Sequence, residues 1–89
     1  NIHPALLPRH GGKGMYGLRV HQSVLAAGDA ESGVTIHYVT PEYDEGAIIR
    51  QERLAVQPGW SAETLQQQVL ALEHAVLAPT VEGLLQNLR

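Results

Sequence analysis

The sequence predicts an α/β fold, read as the second half of such a domain, on three observations. A strand closes at Asn1-Ile2-His3, because Pro4 and Pro8 let neither a strand nor a helix run on. Residues 34–40, Val-Thr-Ile-His-Tyr-Val-Thr, are rich in β-branched side chains and read as the clearest strand. A long amphipathic helix follows Ser61, so the order strand, loop, helix, strand, acidic loop, strand, helix is that of a layered α/β architecture.

Each element has its own local cause. Residues 9–14, Arg-His-Gly-Gly-Lys-Gly, form a glycine-rich loop without the spacing or closing Lys-Ser/Thr of a phosphate-binding loop. That loop is expected to be a mobile surface segment, with a flap over the site that follows His3 as its functional alternative. Residues 16–27 read as a helix: Leu18, His21, Val24 and Leu25 recur at helical spacing, and Gly28 stands where a C-terminal cap belongs. Residues 28–33 read as a turn. In the strand that follows, Val34, Ile36, Tyr38 and Thr40 share one face, and Thr35, His37 and Val39 the other. Apolar groups on both faces predict a central strand.

Pro41, Glu42, Tyr43, Asp44, Glu45 and Gly46 break that strand, residues 47–51 resume it toward Val56, and Pro58-Gly59 turns the chain. Ser61 is a natural N-cap, with Glu63 in the first helical turn and Trp60 as an anchor just before it. Leu65, Val69, Leu72 and Val76 make a narrow apolar stripe; Pro79 is expected to end or kink the helix, and Val81, Leu84, Leu85 and Leu88 to form a short last one.

Composition narrows the function. The chain has 89 residues and a net charge of −3, and its six Lys and Arg are scattered, which argues against a nucleic-acid partner. There is no cysteine, hence no disulfide, no thiolate nucleophile and no Cys-based zinc site; a cytoplasmic location fits. No apolar run approaches the about 20 residues of a membrane span. Five histidines lack metal-binding spacing, so no metal is expected.

The residues with chemistry to offer are few. Asn1 and His3 are one strand period apart, so an amide donor and a titratable imidazole point to one face. Asp44 lies in the break after the best strand, where open α/β sheets gather their chemistry, although spacing alone does not bring it to His3; its plain alternative is a solvated acidic turn. Glu73 borders the helical stripe, where a half-buried acid needs a partner. His37 is expected to be a hydrogen-bonded core histidine. The chain begins without methionine at a residue that already looks functional, and a sheet of these strands alone would leave an unpaired edge beside the first. Both point to part of a longer protein.

Asn1-Ile2-His3-Pro4-Ala5-Leu6-Leu7-Pro8, taken with Gly33-Val34-Thr35-Ile36-His37-Tyr38-Val39-Thr40, Tyr43-Asp44-Glu45-Gly46 and Ile48-Ile49, resembles the signature of the folate-dependent formyltransferases. His37-Tyr38-Val39-Thr40 and Glu73-His74-Ala75 are most similar to the members that formylate glycinamide ribonucleotide. The resemblance covers essentially the whole chain. It implies the C-terminal half of a three-layer αβα domain with a mixed sheet, residues 1–89 being one portion of it and the N-terminal nucleotide-binding half its missing partner. It implies 10-formyltetrahydrofolate as co-substrate, with Asn1 steadying the formyl oxygen, His3 as proton donor, and Asp44 keeping the histidine protonated and ordering a water. Thr40, Pro41, Glu42, Tyr43 and Asp44 resemble the loop around the pterin, to which Asn1 also belongs as a folate contact. Leu70, Ala71, Leu72 and Glu73 resemble the helical turn that touches the ribonucleotide.

Ala5, Leu70 and Tyr43 depart from the common Ser, Gln and Leu of the family. An alternative within the resemblance is formyltetrahydrofolate deformylase, which transfers to water. The members acting on methionyl-tRNA fit less well, since they carry an Arg-rich loop after the motif. A third reading is a catalytically silent piece that only packs against its other half.

Overall fold

The structure, a computed structural model, describes residues 1–38 and 47–87, with side chains as far as residue 76. Its elements are β1 (Ile2–His3), α1 (Leu18–Ala26), β2 (Glu31–His37), β3 (Ile48–Ala55) and α2 (Ala62–Asn87). The strands lie in the order β1-β2-β3, and both pairings are antiparallel. The α/β class and the central position expected for the best strand are both found. The parallel portion of the expected mixed sheet is not among the described strands.

β2 starts three residues earlier than its β-branched run. Glu31, Ser32 and Gly33 were expected in a turn, but they pair with Ala55, Leu54 and Arg53 of β3. Gly33 explains the difference: a Cβ there would run into the Glu52 carbonyl oxygen. A glycine inside a strand here marks close approach of two backbones rather than a turn. The turn itself is shorter, and Gly28 takes it at φ 70° directly after the helix, in the C-terminal position that favours glycine.

Valines and leucines build the core. Val24 of α1, Val34 and Ile36 of β2, and Leu65, Val69 and Val76 of α2 form one buried cluster, with Ile2, Leu72 and Trp60 packed against it. The α2 stripe is thus used as its spacing predicts, and Ser61 caps the helix by accepting the Thr64 N–H at 3.1 Å. In α1 the buried residues are Val20, His21 and Val24, and Leu25 packs against the core as expected, so Val20 joins the stripe in place of Leu18. α2 also corrects an expectation: it runs through Pro79 as one helix to Asn87. Proline removes a single N–H from the helical ladder, and here the ladder continues past it.

The opposite face of β2 carries one polar hub. Thr35 is fully buried, and its hydroxyl donates to the Ala5 carbonyl at 2.7 Å. It also accepts the Leu7 N–H and Gln51 Nε2, each at 3.0 Å. Gln51 Nε2 reaches the Leu7 carbonyl at 2.8 Å as well. One donor and two acceptor positions are all a hydroxyl has, and all are used. The hub straps residues 5–7, with a cis Leu7–Pro8 bond just beyond them, onto the sheet immediately after His3.

Candidate active site

Asn1 and His3 are positioned by β1. Asn1 exchanges backbone hydrogen bonds with His37, donating to its carbonyl at 2.7 Å and accepting its N–H at 2.8 Å. His3 stands opposite Thr35. The strand period therefore puts both side chains on one side of the sheet, with Asn1 exposed and His3 buried.

His3 Nε2 donates to the His10 carbonyl at 2.8 Å. A carbonyl oxygen only accepts, so Nε2 carries the hydrogen of this bond and Nδ1 is the other nitrogen of the ring. A cavity of about 630 Å³ opens beside His3, bordered by Pro4, Lys13, Tyr16 and Arg19. That volume suits a small organic substrate. The Arg19 guanidinium lies 5.3 Å from the centre of the Tyr16 ring, within cation–π range.

A second cavity, of about 190 Å³, shares Pro4 and Gly17 with the first and reaches α2 at Leu70 and Glu73. Of the helical turn expected to touch a nucleotide, Leu70 and Glu73 line this cavity, Ala71 is exposed elsewhere on the helix, and Leu72 packs against the core. Thr40, Pro41, Glu42, Tyr43 and Asp44 lie outside the described residues. His37 is buried, and its Nδ1 donates to the Tyr38 carbonyl at 3.0 Å, as expected of a core histidine.

Sequence reasoning missed the structure of the glycine-rich loop. Its start is not loose: His10, at φ 57°, is fixed by three contacts. Its Nε2–H donates to Asp29 at 2.6 Å, its Nδ1 meets the Ser23 hydroxyl at 2.6 Å, and its carbonyl holds His3. Arg9 joins Asp29 at 2.9 Å. The partners are thirteen and nineteen residues away, and no local pattern announces them.

The His10 hydrogen bond, helped by the charge of Arg9, holds the Asp29 carboxyl below its ordinary range against an opposing effect of burial. A depressed carboxylate contributes stability that is complete above its unfolded value, about 3.9, and is lost as pH falls through the lower folded value. The urea midpoint of the full-length protein should therefore exceed that of Asp29→Asn at pH 5, and the margin should shrink below about pH 4. A margin unchanged down to pH 3 would refute the contribution.

The chain matches known proteins along most of its length. The family model described as "Formyl transferase" matches residues 1–81. Among curated proteins, a chloroplastic phosphoribosylglycinamide formyltransferase of Vigna unguiculata is 48% identical over 84 residues, which is 94% of this chain and 27% of that protein. Phosphoribosylglycinamide formyltransferase of Escherichia coli (strain K12) is 40% identical over 85% of this chain and 34% of its own length. The chain thus spans about a third or less of these relatives. Among solved structures, phosphoribosylglycinamide formyltransferase from Anaplasma phagocytophilum superposes with a TM-score of 0.87 at 37% identity, covering 98% of this chain and 40% of that one.

Proposed function

Because this chain belongs to the formyl transferase family, we propose that it forms the catalytic portion of an enzyme carrying a formyl group from 10-formyltetrahydrofolate to the amine of glycinamide ribonucleotide, in purine biosynthesis. The observation that supports this reading most is the pairing of two cavities around Pro4: one beside the buried His3, the other ending at Glu73.

In this reading the amine attacks the formyl carbon, and the new C–N bond forms as the carbonyl becomes an oxyanion. The Asn1 amide and the protonated Nδ1 of His3 donate to that oxygen. Removing one such donor typically costs about 3–4 kcal/mol of transition-state stabilisation. The bond from the formyl carbon to the folate nitrogen then breaks; the amine gives up a proton, and the folate nitrogen takes one. Asp44, through a water, is the proposed shuttle, with Thr40, Pro41, Glu42 and Tyr43 about the pterin. No helix among the described residues is long and apolar enough to cross a membrane, and a cytoplasmic location belongs to the same proposal. The chain is proposed to act together with a nucleotide-binding half. Among the described strands, β1 pairs only with β2, which leaves its other edge for that partner.

The reading is tested with the full-length protein, 10-formyltetrahydrofolate labelled in the formyl carbon, and glycinamide ribonucleotide. Label should appear in the ribonucleotide. Label released as formate would favour the deformylase instead. Glu73→Gln should raise KM for the ribonucleotide by about tenfold or more and leave that for the folate within twofold, as loss of a charged hydrogen bond requires. The reverse pattern would reassign α2 to the folate.

A further inference from the structure

His21 is a buried imidazole that the scheme above does not use. It sits on α1 at 2% exposure and lines the smaller cavity together with Leu70 and Glu73. Its Nδ1 is buried and has no hydrogen-bond partner among the described residues. A buried polar atom left so costs about 1–3 kcal/mol. Burial, and secondarily the nearby His3, hold the ring below its ordinary pKa, which favours its neutral form. A neutral imidazole offers a lone pair, and Glu73, which lines the same cavity, offers carboxyl oxygens. Two residues with acceptor atoms bordering one small space suit a ligand rich in N–H or O–H donors.

We propose that His21 is a substrate-contacting residue, accepting a hydrogen bond from the amine or a ribose hydroxyl of the acceptor nucleotide in the cavity that it shares with Glu73. The inference rests on the formyl-transfer reading and adds a residue to it. Both candidate groups carry the same donor chemistry. Pro4 joins this cavity to the one beside His3, so a ligand anchored between His21 and Glu73 lies next to the reacting centre.

The test uses the full-length protein with its histidines labelled in the ring nitrogens. Addition of glycinamide ribonucleotide should shift the His21 resonance, which His21→Leu identifies by its loss. Ribose 5-phosphate is the second probe: a matching shift assigns the contact to a hydroxyl, and no shift with it assigns the contact to the amine. By calorimetry, His21→Leu should weaken nucleotide binding at least tenfold and folate binding less than twofold. His21→Asn, which keeps a polar atom near Nδ1, should restore most of the loss. A His21 resonance unmoved by the nucleotide overturns the proposal, as does equal weakening of both ligands. If the wild-type protein binds the nucleotide but transfers no formyl group, the formyl-transfer reading fails while the His21 contact is still decided by its resonance.

Discussion

His3→Ala in the full-length protein should lower turnover at least about 10²-fold while changing KM for either substrate by less than about threefold. The reason lies in how His3 is held. Its Nε2–H is committed to the His10 carbonyl, so the ring cannot turn to suit a ligand and meets the substrate with a fixed edge. A group that acts on the developing oxyanion and little on the ground state lowers kcat when it is lost, and leaves binding nearly intact. Steady-state kinetics with both substrates checks this. Unchanged turnover would remove His3 from the mechanism, and a rise in KM alone would make it a binding residue.

The second large effect is expected on stability. Thr35→Val keeps the shape of the side chain but deletes a hydroxyl that makes three hydrogen bonds in a fully buried place. The Ala5 carbonyl and the Leu7 N–H each lose a partner, and orphaned buried groups cost about 1–3 kcal/mol apiece. A loss of about 2–4 kcal/mol in urea unfolding is expected, with Thr35→Ser recovering most of it. A Val variant as stable as the parent would mean that the Thr35 hydroxyl does not hold residues 5–7. Because this strap begins two residues after His3, the valine variant should also lose activity at temperatures where it remains folded.

Local patterns made much of this fold legible. The β-branched run marked β2 as central, the four-and-three spacing of Leu65, Val69, Leu72 and Val76 marked the buried side of α2, and Ser61 marked its start. The errors came where distant partners decide. Glu31 to Gly33 look like turn residues until β3 lies beside them. His10 looks like part of a loose loop until Ser23 and Asp29 close on it. Pro79 looks like a stop, yet α2 runs through it.

The site divides the same way. Asn1 and His3 were readable as one face because strand alternation is local. Glu73 was readable as a half-buried acid because the stripe beside it is periodic. Thr35 and His21 carried no such signal: both sit in apolar patterns, and their importance comes from atoms far along the chain or from a cavity that only the folded chain encloses.

The most direct test is a crystal structure of the full-length protein holding glycinamide ribonucleotide and a stable formyl-folate analogue. The formyl oxygen is expected within about 3 Å of both the Asn1 amide nitrogen and His3 Nδ1, with Asp44 one water away. A formyl group bound beyond reach of His3, or Asp44 on the far side of the sheet, would contradict that expectation.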